Sequence, residues 1–421
     1  MDSIHFCYWV GVTCACQSQS QRVKVLRIED QELTGSLTGS VSPHVGNLIL
    51  LSELWLGNNS LSSEIPPEVG RLQRLNIDIG NKLGGKIPLE LGSLTKLKTL
   101  HIEGKYITGG LPSTLGNLSS LMSLYADFNS ITGSIPDTIG GCKNLEVVSL
   151  LVNKLAGILP SSLFDISTIR QINVAFNQIE GCLPSDIGIT LPNLQRLSLA
   201  NNLFNGAREV DDLSFLDSLT NATKLLSLTL GVNNFGGVLP LSLSNFSTHL
   251  SRLSFYDNDI SGSIPTGIGN LFNLQGLSVA FNRLSGYIPT EIGKLQKLQV
   301  LGLLANKFYG QIPSCLGNMT ALSRLGLSQN NLQSSIPTSL GKCQQLEGLY
   351  LGQNNLSGTI PEEVFSISSL LYLDLSCNNF ARKLPAAVNL KNLETFDASG
   401  NSISGRIPST LGSCVTLRLL P

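Results

Sequence analysis

The chain has 421 residues, far more than one ordinary globular core holds, so it comprises either several domains or a repeat array. Its formal net charge is −1, from 28 basic and 29 acidic residues, and this balance excludes the concentrated positive field of a nucleic-acid binder. No apolar stretch approaches the roughly 18 residues that cross a bilayer, and the start lacks the basic flank and apolar run of a signal peptide. We therefore expect neither a membrane span nor a signal peptide in this chain.

The first cysteines stand close together, in the run from Cys7 to Cys14. Disulfides persist in oxidising compartments, so the compartment of the protein depends on whether these two residues pair.

A repeat of about 24 residues dominates the sequence. In its reference copy, Leu121, Leu124 and Ala126 precede Asn129, and Pro136 follows. The same pattern returns at Asn153, Asn177, Asn282, Asn306, Asn330, Asn354 and Asn378. Sixteen equivalent positions run from Gln31 to Asn401, and fourteen of them are Asn. A register held for so long predicts a stack of similar coils.

The third copy is short, because Pro66 and Pro88 are 22 residues apart. A loss of two residues preserves the alternation of side chains along a strand.

Each part of the repeat has a physical role. The alternating Leu-x-Leu stretch predicts a short strand whose apolar side chains point one way. The Asn amide both donates and accepts hydrogen bonds, so it satisfies backbone groups that are freed where the chain bends. Glycine then permits backbone conformations closed to other residues, and proline fixes the return path. One repeat buries too little apolar surface to fold alone, so the copies must stack, with their strands in one long parallel sheet and short helical segments outside.

Three cysteines share a position six residues after the proline, which Leu or another apolar residue fills in other repeats. These are Cys142, Cys343 and Cys414. We interpret them as small buried hydrophobic residues and not as metal ligands or redox groups.

The consensus resembles one protein family. The run Asn354-Asn355-Leu356-Ser357-Gly358-Thr359-Ile360-Pro361 is similar to the plant-specific class of leucine-rich repeats, and this motif covers nearly the whole chain. The resemblance implies an α/β repeat fold, a right-handed leucine-rich-repeat superhelix with a parallel sheet on its concave side. We expect a partial N-terminal cap in residues 1–22, and about sixteen repeats plus the start of a seventeenth in residues 23–421.

Two further segments support the resemblance to plant receptor ectodomains. The segment with Cys7, Trp9, Gly11, Val12 and Cys14 resembles the end of their N-terminal cap, in which the two cysteines form a disulfide. Residues 211–221 interrupt the register and resemble an insertion in immune receptor kinases that sense bacterial proteins. The resemblance implies a full-length parent with a signal peptide, a membrane span and usually a cytoplasmic Ser/Thr kinase. We expect this chain to be truncated at both ends.

The sequence offers no pattern for catalysis. It has no phosphate-binding glycine run and no kinase motif, and its histidines have no metal-ligand spacing. We therefore predict no enzyme activity, no metal and no cofactor for this chain.

Binding is the better hypothesis, because the residues between the strand leucines face solvent on the concave side. Aromatic residues and Arg are the types enriched at binding hot spots. The candidate ligand-binding residues are Trp55, His101, Tyr125, Asp127, Arg252, Tyr256, Asp257, Tyr350 and Asp374. Two clusters are predicted, one at Trp55, His101, Tyr125 and Asp127 and one at Arg252, Tyr256 and Asp257. Three further residues directly precede the Asn that recurs in each repeat, and we assign them a packing role. They are Phe128, Phe176 and Phe281.

Six Asn-x-Ser/Thr sequons accept glycans if the protein is secreted. They are at Asn58, Asn117, Asn221, Asn245, Asn318 and Asn355.

The resemblance predicts the extracellular ligand-recognition domain of a plant receptor-like kinase or receptor-like protein. Its expected partners are a peptide or protein ligand and a co-receptor kinase with leucine-rich repeats, at the outer face of the plasma membrane or in the apoplast. Three alternatives remain open: a secreted protein that resembles polygalacturonase inhibitors, an intracellular scaffold and a non-functional receptor fragment.

Overall fold

The computed structural model describes residues 5–15, 22–28, 38–57, 59–78, 83–104, 106–205, 213–385, 390–409, 411, 414 and 416–418. The chain divides into two compact units, Met1–Gly206 and Ala207–Pro421, and each is described by itself. Several predicted features lie outside the described residues: the sequon at Asn58, the equivalent positions Gln31, Asn81 and Lys105, and the start of the insertion at 211–212.

Each unit contains one long sheet made of a three-residue strand per repeat. In the first unit the sheet begins with an antiparallel pair, Val12–Ala15 and Arg22–Arg27, and then continues in parallel. Its parallel strands are Glu53–Trp55, Asn76–Asp78, Thr99–His101, Ser123–Tyr125, Val147–Ser149, Gln171–Asn173 and Arg196–Ser198. The second unit has the parallel strands Ser227–Thr229, Arg252–Ser254, Gly276–Ser278, Val300–Gly302, Arg324–Gly326, Gly348–Tyr350, Tyr372–Asp374 and Thr395–Asp397. The predicted parallel sheet is confirmed.

Further parallel strands form smaller sheets beside the long ones, and the sequence did not predict them. Those of the first unit are Thr38–Gly39, Ser60–Leu61, Gly84–Lys86, Tyr106–Thr108, Thr132–Gly133, Lys154–Ile158, Gln178–Gly181 and Leu203–Phe204. Those of the second unit are Ser285–Gly286, Lys307–Gln311, Asn331–Ser334, Asn355–Gly358, Asn379–Arg382 and Ser402–Ile403. They form just after the Asn position, where the consensus glycine adopts a left-handed backbone, as at Gly133 with φ 74°.

Short helical turns complete each repeat, as predicted. The 3₁₀ turns are Phe6–Tyr8, Pro43–Asn47, Pro67–Arg71, Leu89–Ser93, Ser113–Asn117, Asp137–Gly141, Leu219–Asn221, Leu241–Asn245, Thr266–Asn270, Thr290–Lys294, Ser314–Asn318 and Thr338–Lys342. The α-helical turns are Ser161–Phe164, Ile187–Thr190, Phe215–Ser218 and Glu362–Phe365. The consensus proline stands directly before most of these turns, as at Pro265 with φ −61° and ψ 139°. Proline starts a turn at little cost, because its missing N–H would have no partner there.

The asparagines form a hydrogen-bonded ladder along each unit. The side-chain amide of Asn129 donates to the carbonyls of Ile102, Ala126 and Asp127 at 2.8, 3.2 and 3.0 Å, and its oxygen accepts from the N–H of Ile107 at 3.1 Å. Ile102 and Ile107 belong to the preceding repeat, so each asparagine joins two coils. The same arrangement recurs at Asn153, Asn177, Asn202, Asn258, Asn282, Asn306, Asn330, Asn354, Asn378 and Asn401. The predicted role of this residue is confirmed.

The three cysteines in the apolar column are buried, as predicted. Cys142 and Cys343 are completely inaccessible to solvent, and each thiol donates to a carbonyl of the preceding repeat, Leu115 at 3.2 Å and Leu316 at 3.5 Å. Burial disfavours the thiolate and raises the pKa of both groups to about 11.

Thiol alkylation is therefore expected to distinguish the exposed cysteine from the buried ones. At pH 8.5 iodoacetamide should modify the exposed Cys377 in the folded chain and leave Cys142 and Cys343 unmodified, because a raised pKa leaves well below about 1% of each thiol ionised. Peptide mass spectrometry measures the three sites, and all three should react in denaturant. Modification of Cys142 in the native chain at the rate of Cys377 would contradict the burial of this column.

Candidate functional site

The solvent side of each long sheet carries residues in regular columns, and we call it the sheet face. In the strand Ser123–Tyr125 the middle residue Leu124 is buried, whereas Ser123 and Tyr125 are partly exposed. Strands pair with equivalent residues opposite each other, so Tyr125 stands beside His101 on one side and Ser149 on the other. Variable side chains from consecutive repeats are thereby brought together on one surface.

The first predicted cluster contains two contacting groups. The guanidinium of Arg27 lies 4.9 Å from the ring centroid of Trp55 and pairs with Glu53 at 3.2 Å. The indole N–H of Trp55 donates to Glu53 at 3.1 Å. The ring of His101 lies 5.5 Å from that of Tyr125 and 3.3 Å, atom to atom, from the carboxylate of Glu103.

One residue of this column was missed from the sequence. Asp78 occupies the register position between Trp55 and His101. It was omitted because the third repeat is short and its Asn position is displaced from the 24-residue spacing. Ile77, its neighbour in the strand, is buried and pairs with Leu54 and Leu100. Asp78 therefore follows Trp55 by 23 residues, and not by the even number that the prediction assumed.

Asp127 is held by the neighbouring repeat. Its carboxylate accepts hydrogen bonds from the hydroxyl of Ser149 at 2.9 Å and from the N–H of Leu151 at 2.7 Å. Burial nevertheless raises the pKa of Asp127, because desolvation outweighs these two contacts. Part of the hydrogen-bonding capacity of the Asp127 carboxylate is thus used by contacts within the sheet.

The second predicted cluster lies in the other unit. Arg252 is exposed on its strand, and the ring of Tyr256 packs edge-on against Phe281 with centroids 5.3 Å apart. Asp257 is exposed and takes a left-handed backbone with φ 53°.

Tyr350 and Asp374 stand opposite each other on adjacent strands. The carboxylate of Asp374 accepts from the N–H and the hydroxyl of Ser376 at 3.0 and 2.6 Å, and from the hydroxyl of Ser328 at 3.4 Å. Asp374 reaches Ser328, two strands away, across Gly352, where a side chain would collide with its carboxylate. Burial raises the pKa of Tyr350.

The packing role assigned to three phenylalanines holds for Phe281, which packs against Tyr256, but none of the three is a core residue. Phe128, Phe176 and Phe281 are 38%, 52% and 41% exposed. They follow the end of the inner strand in a left-handed conformation, which turns their side chains to the surface while the Asn that follows is buried or half-buried.

The remaining predicted positions are a disulfide and the glycosylation sequons. Cys7 and Cys14 are joined by a disulfide with Cα atoms 5.6 Å apart. Three sequons end 3₁₀ turns and are exposed at Asn117, Asn245 and Asn318. Asn221 ends another turn, and Asn355 begins a strand of a flanking sheet.

The described residues contain neither a candidate metal site nor a candidate membrane-spanning helix. No group of three or more His, Cys, Asp or Glu residues among them is arranged to hold a metal ion. Within the same part of the chain, no helix combines the length and the apolar character that crossing a bilayer requires.

One coil per repeat, a parallel strand in each coil, and an asparagine that ties each coil to the preceding one together define a leucine-rich-repeat solenoid. The sequence comparison agrees, since seven segments match the family described as Leucine Rich Repeat. They are residues 50–72, 120–142, 249–271, 273–295, 321–343, 345–367 and 392–414.

Several known proteins that this chain is similar to are plant receptors. The receptor kinase-like protein Xa21 of Oryza sativa subsp. japonica is 55% identical over 87 residues, which cover 21% of this chain and 8% of the rice protein. Thus the match spans less than a tenth of that relative. A solved structure of the plant peptide hormone receptor RGFR1 in complex with RGF2 is 28% identical, with a TM-score of 0.68 over 98% of this chain and 82% of the receptor.

A second solved structure contains the Arabidopsis receptor kinase HAESA with the peptide hormone IDA and the co-receptor SERK1. It is 27% identical to this chain, with a TM-score of 0.71 over 100% of this chain and 85% of the receptor. This chain therefore has the leucine-rich-repeat fold and is similar to the ectodomains of plant receptors.

Proposed function

We propose that the chain is the extracellular ligand-recognition part of a plant receptor-like kinase or receptor-like protein and binds a peptide or protein on the sheet face. The observation that carries this proposal is that each repeat uses one set of positions for its buried core and another set for its exposed surface. Leucines and the asparagine ladder are buried, whereas the residues opposite one another on the sheet face are free to vary. A ligand that lies across the strands would contact several repeats at once.

The His101–Tyr125 pair, the Tyr256–Phe281 pair and the exposed Arg252 supply the anchors. Aromatic side chains and arginine bury large surfaces and make directional contacts at modest entropic cost, so they are enriched in binding hot spots. Five of the six predicted glycan sites lie on the turns or on a flanking sheet and not on the strands of the long sheets.

The wider role rests on the relatives. The structures of RGFR1 and HAESA hold peptide hormones, and the latter includes a co-receptor. By analogy, a bound ligand would complete a surface for a co-receptor at the outer face of the plasma membrane. A cytoplasmic kinase of the parent protein, and not this chain, would carry out catalysis.

Peptide selection tests the binding proposal. Random 12-residue peptides displayed on phage would be selected on the immobilised chain, and the affinity of the enriched peptides would be measured for variants. His101→Ala with Tyr125→Ala, or Arg252→Ala with Tyr256→Ala, should weaken binding at least about tenfold through loss of a hot spot.

The matched control removes a contacting aromatic pair from a flanking sheet. Tyr287 and Tyr309 have ring centroids 4.7 Å apart, so Tyr287→Ala with Tyr309→Ala deletes similar groups outside the sheet face. This control should bind as the unaltered chain does. The proposal fails if no peptide is enriched over denatured protein, or if only the control variant loses binding.

A further inference from the structure

Two exposed tyrosines lie together on the flanking sheet of the second unit, and we call them the tyrosine pair. Tyr287 and Tyr309 are 66% and 44% exposed, and their ring centroids are 4.7 Å apart. The ring of Tyr287 lies directly over Gly310, where an added Cβ would come within 2.5 and 2.6 Å of two ring carbons. One side of the pair thus packs on the coil, and the rest of it faces solvent.

A row of exposed amide side chains leads from a predicted glycan site toward the tyrosine pair. Gln311 stands opposite Gln333 on the next strand, and Gln333 stands opposite Asn355 on the strand after that. All three are exposed, and Asn355 is the acceptor residue of its sequon. Gln311 follows Tyr309 by two residues in one strand, so both side chains point to the same face of the sheet.

The sequon lies within reach of the rings. Asn355 is two strands and two residues away from Tyr309, which corresponds to about 12 Å along the surface, because strands are about 4.8 Å apart and residues rise about 3.3 Å. The core of an N-linked glycan is a chain of N-acetylglucosamine and mannose units. This core is long enough to extend from Asn355 over the tyrosine pair.

The surface between the sequon and the rings has the chemistry that holds a sugar. The C–H groups of a pyranose ring pack well against the face of an aromatic ring, which carries partial negative charge. Amide side chains both donate and accept hydrogen bonds. Gln311 and Gln333 therefore match the hydroxyl and acetamido groups of a glycan that crosses them.

The size and charge of this surface also favour a glycan over a protein partner. A stable protein interface covers about 800 Å² on each partner, far more than two tyrosines offer. Lys307 and the ion pair of Arg283 with Asp259 precede the tyrosines along the chain, on the side away from Asn355. The path from Asn355 to the rings is thus lined by uncharged amides, which suit a neutral sugar chain.

We propose that the N-glycan attached to Asn355 extends across Gln333 and Gln311 and packs on the tyrosine pair. The inference concerns the flanking sheet and goes beyond ligand binding on the sheet face. The contact covers two aromatic rings, holds the glycan against one side of the second unit and stabilises that unit.

Enzymatic release of the glycan measures the contact directly. The full chain, with an added secretion signal, is produced in cultured plant cells under an inhibitor of mannose trimming, so that occupied sequons carry high-mannose glycans. Glycopeptide mass spectrometry then follows cleavage of the folded chain by endoglycosidase H. Release at Asn355 should be at least about fivefold slower than at the exposed Asn318, the factor expected of one aromatic contact.

Two paired variants assign the protection to the rings. Tyr287→Ala with Tyr309→Ala should raise the release rate at Asn355 to that at Asn318 and leave Asn318 unchanged. The matched control Tyr287→Phe with Tyr309→Phe keeps both rings and removes only the hydroxyls, so it should protect the glycan as the unaltered chain does.

Thermal denaturation supplies an independent readout. Asn355→Gln prevents attachment and should lower the thermal midpoint by about 2–4 °C, the shift that one such contact gives in a domain of this size. In the alanine variant of the tyrosine pair the same substitution should lower it by less than about 1 °C, because the contact is already lost. Asn318→Gln should have the same effect in both backgrounds.

Three results overturn the inference. They are an unoccupied Asn355 in the secreted chain, equal release rates at Asn355 and Asn318, and additive effects of Asn355→Gln and the alanine substitutions on the thermal midpoint. Peptide binding on the sheet face is measured separately and does not depend on any of them.

Discussion

Asn378→Ala is expected to destabilise the second unit by about 3 kcal/mol, since each lost hydrogen bond costs about 1 kcal/mol and buried carbonyls remain without a donor. The amide of Asn378 donates to the carbonyls of Leu351, Leu375 and Ser376 at 3.0–3.2 Å, and its oxygen accepts from the N–H of Leu356 at 2.9 Å. Alanine keeps none of these contacts. Urea denaturation monitored by circular dichroism measures the loss, and hydrogen exchange should show faster opening at Leu356.

The neighbouring residue provides the control. Asn379 is exposed, so Asn379→Ala changes the same residue type one position along and should shift the stability by less than about 0.5 kcal/mol. Equal effects of the two substitutions would show that the ladder contributes no more than an ordinary surface asparagine.

Gly317→Ala is expected to cost at least about 2 kcal/mol by overpacking. Gly317 lies in the turn Ser314–Asn318, and the next repeat packs directly on it. A methyl group there would lie 2.6 Å from the carbonyl carbon of Ser339 and still closer to its oxygen. Because the obstacle is backbone and not the end of a flexible side chain, the two coils would have to separate. Denaturation of the variant by urea measures the effect.

Gly276 provides a matched glycine with free space. It lies on the strand Gly276–Ser278, and a methyl group there would have no neighbour within 4 Å. Gly276→Ala should therefore be neutral or stabilise the unit slightly, by up to about 1 kcal/mol, because alanine restricts the unfolded chain. A tolerated Gly317→Ala, with the thermal midpoint unchanged, would refute close packing of the turns.

Much of the fold was predictable because every repeat has to bury the same set of side chains. The spacing of leucines, Asn129 and its equivalents gave the strands, the ladder and the stacking, since each copy can bury its side chains in only one way. The cysteine column was predictable for the same reason: Cys142 stands where other repeats have leucine. The flanking sheets were missed, because residues 154–158 and their equivalents have no periodicity of their own and pair only after the coils have stacked.

The candidate site was predictable in composition but less so in detail. Alternation identified His101 and Tyr125 as residues of one column, and the structure brings their rings together. Asp78 was missed because a deletion moved its repeat out of register. Phe128 and Phe176 directly precede the Asn and were assigned to packing, whereas the left-handed backbone turns them outward.

The sequence by itself determined the repeating coil, its parallel strands, the asparagine ladder and the apolar positions, because these follow from local spacing and the need of each copy to bury its leucines. Only the tertiary structure decided which turns tolerate no side chain, as at Gly317, and which side chains meet on the sheet face. Those properties depend on distances between atoms of different coils, and such distances exist only once the coils are stacked.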